Sequence, residues 1–198
     1  MKRRHPIILG LILLLACPAT SLAVEITLHS SAIQKLLVER AFNQNGRKYL
    51  FGRADTRCMN AYLYDPRVSI EGGRLILRSN FSGNIGQELN EDCLGLSESF
   101  PVTMTGVPFF RGGTVGLEQI EISELSGIPQ FNNYITQFFE EELQRIFSHD
   151  LNREIRQLIA ANKGDIPYDM EVLDLDISRI VAADEILGLW VNFHLVLK

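Results

Sequence analysis

The sequence contains few of the residues from which catalytic sites are usually built. Its 198 residues include four histidines, three cysteines and one tryptophan. It has no Gly-x-Ser-x-Gly, His-Glu-x-x-His, Cys-x-x-Cys or phosphate-loop motif. His149 and Asp150 could orient a catalytic base, but an exposed pair interrupting an apolar stripe is the simpler interpretation. We therefore expect no enzyme activity, no metal site and no cofactor.

A net positive charge is also missing. The chain carries 19 Lys and Arg against 24 Asp and Glu, a formal charge of −5. Removing residues 1–23, which hold three basic and no acidic side chains, changes this to −8. An acidic domain argues against nucleic acid as a partner and against electrostatic docking to anionic membrane.

The apolar run near the start is too short to span a bilayer as a helix with confidence. Residues 2–4 are basic, and a small-residue cleavage motif ends at Ala23. This order predicts a signal peptide over residues 1–23 and a periplasmic protein. A second interpretation stays open, because Leu-Leu-Ala-Cys ending at Cys17 resembles a lipobox. Removal of residues 1–16 and acylation of Cys17 would then give a membrane-anchored envelope lipoprotein.

Two cysteines remain after the export signal, Cys58 and Cys93. Two cysteines in an oxidising compartment are expected to form a disulfide. The bridge would close a loop of about 36 residues and add roughly 3–4 kcal/mol to the free energy of unfolding in the loop-entropy model. Two separate buried thiols are the alternative.

The longest periodic segment runs from Gln130 to Asn162. Its apolar residues recur at steps of three and four, which predicts an amphipathic helix of roughly 50 Å. Pro129 precedes the segment, and Lys163 and Gly164 follow it, as at a helix end. A bend midway along the helix, at His149 and Asp150, is the alternative.

Most other segments alternate apolar and polar residues, as strands do. The predicted strands cover residues 24–28, 49–51, 58–64, 67–70, 74–81, 98–110, 114–125, 170–181 and 186–198. Glycine pairs at 72–73 and 112–113 predict tight hairpin turns. A short helix is predicted over 31–42, with Ser31 and Gln34 as a capping box. Residues 82–97 are rich in Gly, Asn and Ser and are predicted to form a loop.

These elements predict one domain over residues 24–198. The fold class is α+β, with a curved antiparallel β-sheet wrapped around one long α-helix and a short N-terminal helix.

Aromatic side chains cluster on the long helix and at the end of one strand. Core packing explains them, and so does an apolar groove between helix and sheet that holds a ligand. In the second case the lining would consist of Phe109, Phe110, Phe131, Tyr134, Ile135, Phe138, Phe139 and Phe147.

The plan resembles the YceB-like (DUF1439-type) bacterial envelope lipoproteins, which are related to the tubular lipid-binding (TULIP) folds. The resemblance rests on the early helix over 31–42, the paired strands over 68–77, and the strand over 116–125 that leads into the helix from Phe131. It implies a half-barrel of the TULIP type with an apolar groove able to hold lipid. The lipobox at Cys17 and the pair of internal cysteines depart from the family pattern.

Two functions follow from these expectations. The first is binding or carriage of lipid or another hydrophobic small molecule in the groove, without catalysis. The alternative is an envelope interaction module that holds a protein partner at a sheet edge or at the Phe109–Phe110 end.

Overall fold

The computed structural model describes residues 23–90, 92–150, 157 and 170–197. At residues 23, 149–150, 170–175 and 193–197 it describes the backbone alone. Residues 1–22 lie outside the described part, and with them the signal-peptide and lipidation predictions.

Within this described part of the chain, nine strands form two antiparallel sheets. Their bounds are β1 Ala23–His29, β2 Arg47–Phe51, β3 Met59–Glu71, β4 Arg74–Leu89, β5 Asp92–Arg111, β6 Thr114–Ser123, β7 His149–Asp150, β8 Met170–Ala183 and β9 Ile186–Leu197. The larger sheet has the order β2-β3-β4-β5-β6-β7 and the smaller β1-β9-β8. Together they make a curled antiparallel half-barrel that packs around the helices.

Helix α1 covers Ser30–Arg40, as predicted to within two residues. Its start differs from the expected capping box. His29 occupies the N-cap position, and no side chain caps the helix. The side-chain oxygen Oε1 of Gln34 instead accepts a hydrogen bond from the Val68 backbone N–H at 3.2 Å, which ties α1 to β3.

The long helix is shorter than predicted. It consists of α2 Pro129–Gln137, a π-helical turn Phe138–Glu142 and α3 Leu143–Phe147. Ser148 is extended, and β7 then pairs with the first two residues of β6. The prediction of one continuous helix to Asn162 is therefore wrong. The alternative, a bend at His149 and Asp150, is closer to the structure, because the helix stops at Phe147. Ser, His and Asp are weak helix formers, so strand pairing competes successfully there.

The predicted loop over residues 82–97 is also wrong, because most of it belongs to β4 and β5. These strands form a long hairpin in which Gly86 lies opposite Gly95. A Cβ on Gly95 would clash with the backbone of β4, so glycine is needed at this close approach rather than as a loop residue. Cys58 and Cys93 form the predicted disulfide, with a Cα–Cα distance of 5.2 Å.

Bulges adapt two strands to the curl of the sheet. In β3 the chain continues through Asp65 and Pro66, where we expected the strand to stop, because Asp65 adopts a φ of 51° and absorbs the irregularity. In β6 the apolar alternation of the sequence slips between Leu117 and Ile120, which predicts a bulge. The structure confirms it, with Gln119 at a φ of 52°. The glycine pairs at 72–73 and 112–113 form the predicted turns, all with positive φ.

The core lies on the concave face of the larger sheet, beneath the long helix. The alternating residues Leu75, Leu77 and Phe81 of β4 point inward and are buried. The helix meets them through Phe131, whose ring centroid lies 5.0 Å from that of Phe81. The inner face of the smaller sheet completes the core through Leu189 and its neighbours on β9.

Among the described residues, no helix combines the length and the apolar character needed to cross a membrane.

Candidate functional site

An apolar cleft of about 260 Å³ lies where the two sheets and the helices meet. Side chains from β1, α1, β4, β5, β6, α3 and β9 line it. The volume is close to the lower end of the range for small-molecule pockets, roughly 300–1,000 Å³. The cleft is thus large enough for a single alkyl chain or a compact apolar group.

Helix α1 forms one wall of the cleft. Ile33, Leu36 and Arg40 line it, and their spacing of three and four residues places them on one helix face. Ile33 is buried, Leu36 is half-buried and Arg40 is exposed. The wall therefore changes from apolar to charged towards the end of the helix.

The smaller sheet forms the opposite wall. Leu28 of β1 lies directly across from Leu187 of β9, and both line the cleft together with Leu189. Alternation within each strand puts these side chains on the inner face. The exposed inner-face residues Val24 and Ile26 continue this apolar row along β1 beyond the cleft.

The larger sheet and the end of the long helix close the cleft. Leu117 on β6 lies opposite Pro108 on β5, and both line it. Val115 precedes Leu117 by two residues and shares its face. Phe147, the last residue of α3, packs at the same place.

A second pocket of about 330 Å³ adjoins the cleft and is charged. Arg40 lines both cavities. The second pocket also contains Lys48, Glu142 and Arg145, and the Lys48 ammonium donates a short hydrogen bond to the Glu142 carboxylate. Of the residues that the structure describes, three cations and one carboxylate therefore share this pocket.

Four of the eight residues proposed from sequence are wholly buried in the core: Phe131, Ile135, Phe138 and Phe139. Phe138 contacts Phe139 and Phe42 with ring centroids 5.1 and 6.3 Å apart. The π-helical turn explains how two consecutive phenylalanines are both buried, since the Leu143 N–H donates to the Phe138 carbonyl and widens the helix there.

The other four residues lie in different places. The Tyr134 ring packs against the Phe51 ring with centroids 4.7 Å apart, and Tyr134 is partly exposed. The Arg111 guanidinium lies 5.2 Å from the centre of the Phe109 ring, on the outer side of the β5–β6 hairpin. Phe110 packs against the core. Of the eight, Phe147 lines the cleft.

Sequence reasoning missed most of the cleft wall. The leucines at 28, 36, 117, 187 and 189 come from four separate elements. One signal was available for α1, because the spacing of Ile33, Leu36 and Arg40 already placed a cation at the end of an apolar helix face.

The far end of the β4–β5 hairpin presents a different surface. Leu94 and Leu96 are 61% and 53% exposed, although their cross-strand partners place them on the inner face of the sheet. β6 pairs with β5 from Thr103 onward. Within the described chain, residues 92–102 of β5 therefore have an open strand edge.

Within residues 23–90, 92–150 and 170–197, no three His, Cys, Asp or Glu side chains come together in a way that could hold a metal ion.

Comparison with known proteins gives little to transfer. No family model matches the chain, and no curated protein matches it. The crystal structure of a lipopolysaccharide binding protein is similar with a TM-score of 0.31 and 10% sequence identity, over 85% of this chain and 46% of that chain. A similarity at this level identifies neither a family nor a ligand.

Proposed function

We propose that the protein binds an alkyl chain or a similar apolar ligand in the cleft between α1 and the two sheets, without catalysis. The observation that carries the proposal is the apolar cleft itself, bounded by Leu36, Leu117 and Leu187. A TULIP-like relationship and the resemblance to YceB-like envelope proteins form part of the same proposal. Export to the periplasm also belongs to it, and the Cys58–Cys93 disulfide is compatible with an oxidising compartment.

Apolar burial would supply the binding energy. Each methylene transferred from water contributes about 0.8 kcal/mol. The affinity for an unbranched alkanol should therefore rise about fourfold with each added carbon until the cleft is full. A plateau in this series would measure the useful length of the cleft.

The variant Leu36→Glu tests the site directly. It places a carboxylate in the apolar wall, where an alkyl chain would strip it of water. We expect the affinity for the neutral fluorescent probe N-phenyl-1-naphthylamine to fall at least tenfold. Val38→Glu is the matched control, because Val38 lies on the same helix, is exposed and does not line the cleft.

Glu is well tolerated in helices, so both variants should fold. Circular dichroism and the urea midpoint would check this. Equal probe affinity in the two folded variants would count against the cleft as the binding site.

A second candidate function is supported by the open edge of β5. An extended segment of another protein could add to this edge as a further strand and cover Leu94 and Leu96. Asp92 precedes Leu94 by two residues and Glu98 follows Leu96 by two, so both carboxylates flank the leucines on the same face of β5. The partner that fits is therefore an alternating apolar strand flanked by Lys or Arg.

Site-specific photo-crosslinking in the native host would test this candidate. A benzoylphenylalanine at position 96 should crosslink to such a strand, whereas the same residue at position 97, on the outer face, should not. Adding Leu94→Lys should abolish the crosslink. Equal crosslinking at both positions, or none at position 96, would remove strand addition as a function.

A further inference from the structure

The charged pocket next to the cleft indicates what kind of apolar ligand is bound. We propose that the ligand is an amphiphile with a single alkyl chain and an anionic phosphate or carboxylate head, and that Arg40 and Arg145 bind the head. The inference rests on the proposed function, since the cleft holds the chain.

The two cavities adjoin each other and share part of their wall. Arg40 lines both of them, at the end of the apolar face of α1. At the end of the long helix, Ile146 lines the charged pocket and the next residue, Phe147, lines the cleft. A ligand whose chain lies in the cleft can therefore place its head beside Arg40.

The charge balance of the pocket favours an anion. Lys48 is neutralised by Glu142. Among the side chains that the structure describes, no acidic group lies within ion-pair distance of Arg40 or Arg145. The C-terminal turns of α1 and α3 each contribute roughly −0.5 of an elementary charge. Two guanidinium groups exceed that sum, so the pocket stays positive on a chain whose net charge is −5.

The wall of the pocket is held in place before any ligand binds. The Lys48 side chain is largely buried, with its ammonium 5.6 Å from the centre of the Phe138 ring and bonded to Glu142. This pair fixes one side and leaves the guanidinium groups as the available donors. Planar guanidinium groups bind phosphate or carboxylate oxygens through two parallel N–H donors.

A lipid head and a free phosphate share this chemistry, and a binding experiment separates them. Decyl phosphate, decanol and inorganic phosphate would be titrated by isothermal calorimetry at low salt, below the critical micelle concentration. We expect decyl phosphate to bind at least tenfold more tightly than decanol and inorganic phosphate to bind far more weakly than either. The double variant Arg40→Gln/Arg145→Gln should reduce the preference for decyl phosphate over decanol to less than threefold.

The matched control is Lys35→Gln/Arg53→Gln, which removes the same charge from exposed side chains outside both cavities. This variant should keep the tenfold preference. Equal affinity for decyl phosphate and decanol in the wild type would overturn the anionic head but leave the proposed function intact. Binding of neither would overturn both, and inorganic phosphate binding as tightly as decyl phosphate would make the pocket a free phosphate site.

Discussion

Ring packing between β4 and the long helix sets tight limits on single residues. Phe81 is fully buried and contacts both Phe100 and Phe131, with ring centroids 4.9 and 5.0 Å apart. Gly83, two residues further along the strand, leaves the space that these rings occupy. A Cβ at Gly83 would lie 2.6 Å from Phe81 Cζ and 2.8 Å from Phe131 Cε1.

Gly83→Ala should therefore destabilise the protein although alanine is chemically mild. Overpacking of a filled core costs about 1–3 kcal/mol, which urea unfolding would resolve. Gly127→Ala is the control, because nothing lies within 4 Å of its Cβ position and its φ is not in the left-handed region. A loss of stability equal to that of the control would show that the rings around Gly83 are not tightly packed.

For single residues, the sequence allowed the pairing of the two cysteines to be predicted but not the environment of the aromatic side chains. The bridge between Cys58 and Cys93 could be predicted because, besides Cys17, they are the only cysteines of the chain. Whether Phe138 and Phe139 face a ligand or a filled core depends on atoms that distant segments contribute. Apolar character alone is the same in both cases, so the sequence left the choice open.

Strands, turns and helices could be predicted where the sequence shows a single clear pattern that no distant contact overrides. The hairpins at Gly72 and Gly112, the bulge at Gln119 and helix α1 were all visible in the pattern. For the long helix the sequence left two possibilities open, Asn162 or a bend at His149 and Asp150. The apolar period continues beyond Phe147, but the pairing of β7 with β6 stops the helix there. The local sequence does not show that the edge of a distant strand, here β6, can pair with the backbone of these residues.

The prediction of a loop over residues 82–97, where β4 and β5 form a hairpin, was wrong for a related reason. Its Gly, Asn and Ser residues resemble a loop in composition, yet Gly86 and Gly95 are needed for two backbones to approach closely. Long-range pairing overrides local propensity in such segments.

The disulfide constrains this same hairpin. Cys58 and Cys93 are 35 residues apart in sequence, and the bridge ties the residue preceding β3 to β5. Replacing both by serine should lower the free energy of unfolding by about 3–4 kcal/mol, because the unfolded chain regains the closed-loop entropy. Chemical denaturation under non-reducing conditions would measure this.

The wild type in reducing buffer serves as the control and should unfold with the serine double variant. Identical denaturation of the oxidised wild type and the double variant would mean that the bridge contributes nothing to stability.

At the scale of the whole molecule, the cleft exists because the two sheets and the end of the long helix converge without filling the space between them. Leu28, Leu117 and Leu187 are far apart in sequence and meet only in the folded chain. The sequence could therefore predict an apolar groove between helix and sheet in general terms, but not its walls. The adjoining cations Arg40 and Arg145 likewise belong to two separate helices.

Binding of an alkyl chain is the central claim, and native mass spectrometry tests it most directly. The protein would be prepared without detergent from its native host, weighed intact, and extracted with solvent to identify any bound molecule. The account predicts one amphiphile per chain, with a single alkyl chain and an anionic head. A ligand-free mass that takes up neither added decanol nor added decyl phosphate would contradict it.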